Sequence, residues 1–218
     1  MLVSPRRHKQ RRRVPCDSSV RRGERIPTIG AFCRETDSDA LVIGSHRRSG
    51  IGRMLLGSVA EGLLRTVEIP VVVAHEDDET RTGPVLVAID RSPAAQAALQ
   101  EGSAIARARG NVLALVHIVE ETPSDASQSD AVLEEAAELG RGQGLKVVCS
   151  LRRGDSGDEI LAAADAVKSW MIVLGTHGRS LVPRFVLGSV AAAVVQRARV
   201  PVATIRRPGR ARSGQAAS

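Results

Sequence analysis

Aromatic residues are nearly absent from this 218-residue chain. Phe32, Phe185 and Trp170 make up the 1%, and there is no tyrosine. The core must therefore be built from Val, Ile, Leu and Ala, and the aromatic platforms on which single-stranded nucleic acids stack are essentially excluded. Lysine is almost as scarce, three residues against 28 arginines, a bias that fits the codon usage of a GC-rich bacterial genome. The cysteines, Cys16, Cys33 and Cys149, are odd in number and show no C-x-x-C spacing. Neither a disulfide framework nor a zinc site is indicated, and a reducing, intracellular setting fits. No apolar run approaches the ~18 residues of a membrane span, and the basic start lacks the apolar segment of a signal peptide. These absences predict a soluble, cytoplasmic protein without a membrane partner.

The net charge of +7 sits at the ends of the chain. Residues 1–15 hold six basic groups and 206–218 hold four, with no acid in either segment. Without those ten, 21 basic groups face 24 acids, so the body is slightly negative. The expectation is a basic, disordered segment over 1–20 and a second such tail over 208–218. Clustered positive charge attracts nucleic acid non-specifically, but nothing in the body supports a nucleic-acid partner.

What the chain does have is an internal duplication. Shifted by 131 positions, Gly23 falls on Gly154, Ile29 on Ile160, Gly44 on Gly175, Ser49 on Ser180, Gly57 on Gly188, Ser58 on Ser189, Val59 on Val190 and Pro70 on Pro201. The unit is a whole α/β domain. In the downstream copy, apolar runs at 84–89, 111–119, 145–151, 170–174 and 201–205 read as buried parallel strands. They alternate with Ala-rich helical patterns at about 93–109, 129–141, 155–168 and 186–198. Ser92 and Pro93 mark a helix start, Gly110 and Gly142 helix stops. Strict alternation predicts a doubly wound parallel five-stranded sheet, whose ligands bind beyond the strand C-termini at the switch point.

The upstream copy is incomplete. Counterparts of 85–131 have no place before Met1, so its first two strands and first helix are missing. A strand at 16–20, a helix near 24–36, a strand at 39–43, a helix at 53–66 and a strand at 70–74 remain. The expected layout is a partial unit over 21–76, a linker at 77–83 and a complete unit over 84–207.

Each copy carries a glycine-rich stretch directly after an apolar strand: "GSHRRSGIGRMLLGS" at 44–58 and "GTHGRSLVPRFVLGS" at 175–189. A glycine-rich turn between strand and helix lets backbone N–H groups line a small concavity, and the following helix adds the positive end of its dipole. Phosphate is the ligand that suits this. A Walker-type P-loop and a G-x-G-x-x-G fingerprint are both absent. His46 and His177 read as turn residues, and Asp155 and Asp158 as carboxylates favourable at a helix start. No nucleophile, base and orienter fall at a recognisable spacing.

The spacing Gly175, Gly178, Gly188 and Ser189 resembles the nucleotide-binding signature of the universal stress protein family. "VAIDRSPAAQAAL" at 87–99 resembles its first strand and helix, and "LVHIVE" at 115–120 its second strand. The resemblance is complete over 84–207 and partial over about 20–76, as in members with two units in tandem. It implies a Rossmann-like fold of the adenine nucleotide alpha hydrolase type and ATP as ligand, with or without magnesium. It places Ile89, Asp90, Ser92 and Ile118 around adenine and ribose. Gly175, His177, Gly178, Arg179, Gly188, Ser189 and Val190 fall around ribose and phosphates. Gly44, Arg47, Gly57 and Ser58 form a degenerate upstream site in which Arg47 replaces the second motif glycine. A homodimer or an intramolecular pseudo-dimer through the last strands is implied as well. The expected function is nucleotide-dependent regulation in a stress response. The alternatives are a slow ATPase using the same pocket and an interaction module that binds no nucleotide.

Overall fold

The computed structural model describes residues 15–44, 56–74, 82–110, 112–119, 126–177 and 187–206. Thirteen elements follow in order: α1 Arg25–Glu35, β1 Leu41–Gly44, α2 Ser58–Thr66, β2 Val71–Ala74, β3 Val85–Ala88, α3 Pro93–Arg109, β4 Leu113–Val119, α4 Ala126–Gly142, β5 Val147–Arg153, α5 Ser156–Ala166, β6 Met171–Gly175, α6 Ser189–Arg197 and β7 Val202–Ile205. The strands form one seven-stranded sheet in the order β1-β2-β7-β6-β3-β4-β5. The five strands of the downstream unit are mutually parallel, as expected, with β3 at the centre. The upstream pair β1 and β2 is parallel within itself and joins the rest through an antiparallel β2–β7 contact that sets Val71 opposite Thr204 and Val73 opposite Val202. The two last strands therefore meet within one chain.

Each face of the sheet has its own apolar layer. Val85, Val87, Leu113, Leu115 and Val173 meet α3 and α4 on one side. Leu86, Val116, Ile172 and Leu174 meet α5 and α6 on the other, and Leu63, Leu64, Val71 and Val73 of the upstream half belong to that same second layer. With few aromatics, both layers are filled by Val, Leu, Ile and Ala. Alanine lets helices approach closely: Ala98 and Ala106 of α3 are fully buried, and a Cβ on Gly102 would meet Val87 Cγ2 at 2.4 Å.

The duplication holds in three dimensions. α1 and α5, α2 and α6, and β2 and β7 begin and end 131 residues apart. So do the unusual backbone positions, Gly23 at φ 139° with Gly154 at 132°, and Asp37 at 48° with Lys168 at 51°. The helix-pair contact persists with its partners exchanged. Upstream, Ile26 fills the space over Gly62; downstream, Gly157 accepts Ala193. A large residue facing glycine and a small one facing glycine solve the same close crossing.

The expected strand at 16–20 does not form. Residues 15–22 have no regular structure and Cys16–Val20 are exposed, with Val20 96% accessible. Their counterpart β5 is held by pairing with β4. Among the described residues no strand lies beside 16–20 as β4 lies beside β5, so their backbone has no ladder to join. The helix expected at 53–66 is described from Ser58, residues 53–55 lying outside the described segments, and α4 starts three residues before the expected boundary. Residues 1–14, 208–218 and most of the 77–83 segment likewise lie outside them.

Candidate functional site

β3 and β6 lie side by side and parallel, yet the chain leaves β3 for the layer of α3 and enters α6 on the opposite face. This is the switch point, and it opens a crevice beyond the two strand ends. Asp90, half-buried just past β3, is fixed by its own backbone turn: its Oδ1 accepts the Ser92 N–H at 2.8 Å. Ser92 is buried and caps α3, its Oγ accepting from the Ala95 N–H at 3.1 Å. Its hydroxyl also leans on the His177 carbonyl at 3.4 Å, tying the end of β3 to the turn after β6.

Across the crevice the turn after β6 is pinned from two sides. Buried Thr176 donates its N–H to the Ile205 carbonyl at 2.9 Å, and its own carbonyl accepts from the Gly188 N–H at 2.8 Å. Gly188 is the N-cap of α6, with φ −58° and ψ 150°, and offers no capping side chain. The N–H groups of Ser189, Val190 and Ala191 accordingly face the N-terminal end without an intrahelical acceptor, and Ser189 is exposed. Glycine is required here by crowding: a Cβ at 188 would come within 2.9 Å of the Thr176 oxygen. At 175 it would come within 2.8 Å of Ala94 Cβ and 3.1 Å of the Ala95 nitrogen. Gly175 thus lets the start of α3 settle against β6, while Gly188 lets α6 begin directly over the turn. His177 Nδ1 lies 3.0 Å from Thr176 Oγ1.

On the other side of β3, Ile118 near the end of β4 is partly buried and packs with the layer of α5 and α6. Strand alternation puts Asp90, two residues past Ala88 of that layer, on the same side. Ile89 faces the opposite layer and is buried, and its carbonyl receives the ring of His117, Nδ1 to O 2.8 Å. His117 was not among the residues singled out from sequence. It is 2% exposed, and its bond locks the tip of β3 to β4 beneath the crevice. The available signal was a lone polar residue inside the apolar run "LALVHIV".

The structure thus brings Asp90, Ile118, Gly188, Ser189 and Val190 to one end of the sheet, with Ile89, Ser92, Gly175 and His177 as the frame beneath and beside them. Gly178 and Arg179 lie outside the described residues. In the upstream half, Gly57 caps α2 in the conformation of Gly188, φ −65° and ψ 151°, and Ser58 follows it. Among the described residues nothing lies within 4 Å of a Cβ on Gly44 or Gly57, where Gly175 meets Ala94 at the start of α3 and Gly188 meets the Thr176 carbonyl. Arg47 lies outside the described residues. Among the described residues no cluster of three His, Cys, Asp or Glu side chains is placed to hold a metal ion, and no helix is long and apolar enough to cross a membrane.

Fold and crevice together define a doubly wound α/β protein of the kind that holds small ligands beyond its strand C-termini. The universal stress protein family model matches residues 6–75 and 82–206, and the chain belongs to that family, with two units in tandem. Universal stress protein Rv2005c of Mycobacterium tuberculosis is 34% identical over 201 residues, which cover 83% of this chain and 65% of that protein. A universal stress protein of Mycolicibacterium smegmatis is 31% identical over 182 residues, covering 76% of this chain and 61% of its own length. This chain therefore spans less than two thirds of the length of either relative. Among solved structures, a universal stress protein from Archaeoglobus fulgidus DSM 4304 superposes with a TM-score of 0.72 at 27% identity, over 84% of this chain and 67% of that one.

Proposed function

We propose that the downstream unit binds one ATP in the crevice between the ends of β3, β4 and β6 and the start of α6, and that the protein acts as a nucleotide-dependent regulator. The observation that carries this reading is the N-terminus of α6. Its cap is a glycine with no side chain to occupy the anion position, its first N–H groups have no intrahelical acceptor, and Ser189 is an exposed residue. Such an end attracts phosphate through both hydrogen bonds and dipole. Asp90, held in its turn, is placed to accept from ribose hydroxyls, and Ile118 supplies apolar surface for the base. Bound ATP would bring its own phosphate charge, and the described residues at the α6 terminus would answer it with neutral donors.

Among the described residues nothing walls the upstream glycines as β3 and β4 wall the downstream ones, so a second equivalent site is not expected. Equilibrium titration of the full chain with ATP should give no more than one nucleotide per chain, and two equal sites would defeat the assignment. Steady phosphate release with magnesium would instead favour the slow ATPase, and absence of ATP binding the interaction module.

A further inference from the structure

We propose that Arg152 and Glu159 form a donor–acceptor pair that reads the base of the nucleotide, selecting one with an exocyclic amine beside a ring-nitrogen acceptor, as in adenine. This rests on the nucleotide-binding reading above and names a specificity element within it. In the parallel register of β4 and β5, Arg152 stands directly beside Ile118, on the side of the sheet that faces α5. Its Nη1 donates to Glu159 Oε2 at 3.0 Å, and both side chains are little more than a quarter exposed. Glu159 lies in the first turn of α5 and folds back over Gly154, whose missing Cβ would sit 3.4 Å from Glu159 Cγ.

The pair is not saturated by its own salt bridge. Arg152 Nε is buried and has no hydrogen-bond partner among the described residues. A guanidinium has five N–H donors and a carboxylate accepts at both oxygens, so each partner keeps capacity beyond the one bond. Adenine offers an amine donor at N6 next to acceptors at N1 and N7, whereas guanine carries an acceptor, O6, where the amine would be. With the purine in one orientation, the carboxylate accepts from the adenine amine and opposes guanine O6, so Glu159 carries the discrimination while Arg152 donates to a ring nitrogen and holds the carboxylate in place.

The duplication supplies a control. The counterparts of Arg152 and Glu159 are Arg21 and Thr28. Arg21 turns away to Glu35 at 2.9 Å and lies over the Phe32 ring. The arginine–carboxylate pair at this position occurs only in the copy that possesses β4 and Ile118.

The test is equilibrium binding of ATP and of GTP to the full chain and to Arg152→Met, Arg152→Lys and Glu159→Gln, with folding checked by thermal unfolding. The parent protein should prefer ATP, and Arg152→Met should lose about tenfold in ATP affinity. Glu159→Gln, whose amide can donate to O6, should narrow the ATP-to-GTP ratio by a similar factor, and Arg152→Lys should retain part of the preference. An unchanged ratio in the folded variants of a protein that does bind ATP would overturn this assignment and leave the binding reading standing. A parent protein that binds neither nucleotide would overturn both.

Discussion

Gly57 and Gly188 share one backbone conformation, but only the second is crowded, since a Cβ there would press on the Thr176 carbonyl. A substitution at Gly188 would therefore mix a packing defect with any loss of ligand. Ser189 separates the two effects. It is exposed, holds the first helical position of α6 and makes no described side-chain bond. A carboxylate at that position suits the helix dipole, by about 0.3–1 kcal/mol, while placing negative charge where phosphate should lie. Ser189→Glu is expected to melt at or slightly above the temperature of the parent protein and to bind ATP at least tenfold more weakly, about 1.4 kcal/mol. Calorimetric titration together with a melting curve checks both. Unchanged affinity in a variant of undiminished stability would remove the α6 terminus from the ligand's path.

At the level of elements, the joint between the two halves is the antiparallel pair of β2 and β7, reinforced from one side by Arg206. Just beyond β7, its Nε donates to the Val67 carbonyl at 3.0 Å and its Nη2 to those of Leu64 and Arg65 at 2.8 and 2.6 Å. These carbonyls end α2, where no intrahelical donor remains, and a cation there also suits the helix dipole. Half-burial lowers the Arg206 pKa from its ordinary value, with Glu68 opposing. Arg206→Ala should loosen the upstream half by about 1–3 kcal/mol, seen as faster hydrogen exchange across 58–74 with 85–89 unaffected. Equal exchange in variant and parent would reduce Arg206 to a surface residue. Much of this layer was legible in the sequence, because the 131-residue repeat transfers bounds from one copy to the other, as with α1 and α5 or α2 and α6. What was not legible depended on partners distant in sequence. Residues 16–20 have the pattern of a strand but no neighbour to pair with. The His117–Ile89 bond spans 28 residues and the Arg206 clamp about 140. Of the candidate site, the glycine-rich turns were legible from their spacing and Asp90 through the family resemblance, whereas the reason for Gly175 lay in the approach of Ala94, which spacing does not reveal.

For the molecule as a whole, the described residues of the upstream half include no strand in the place that β3 takes downstream, and that half shares a core with the downstream unit. Leu63, Leu64, Val71 and Val73 are buried in the layer formed by α5, α6 and β7 rather than in a core of their own. β1 has no such shelter. Among the described residues it lies at the outer edge of the sheet, paired with β2 alone, where its counterpart β6 sits between β7 and β3. Val42 on β1 is 64% exposed, while its counterpart Val173 is fully buried under α3. Burial of a valine contributes on the order of 1.5 kcal/mol or more, and β1 forgoes it. Two short strands and two helices bury too little on their own to offset chain entropy of about 1–2 kcal/mol per residue. The upstream half should therefore open before the downstream unit does, with β1 leading. Hydrogen exchange on the full chain reads this directly: amides of 41–44 should exchange first, those of 71–74 later because β7 holds them, and those of 85–88 and 171–175 last. Equal protection of 41–44 and 171–175 in a monomer would mean that β1 is stabilised by something other than β2, and that its edge position does not weaken this half.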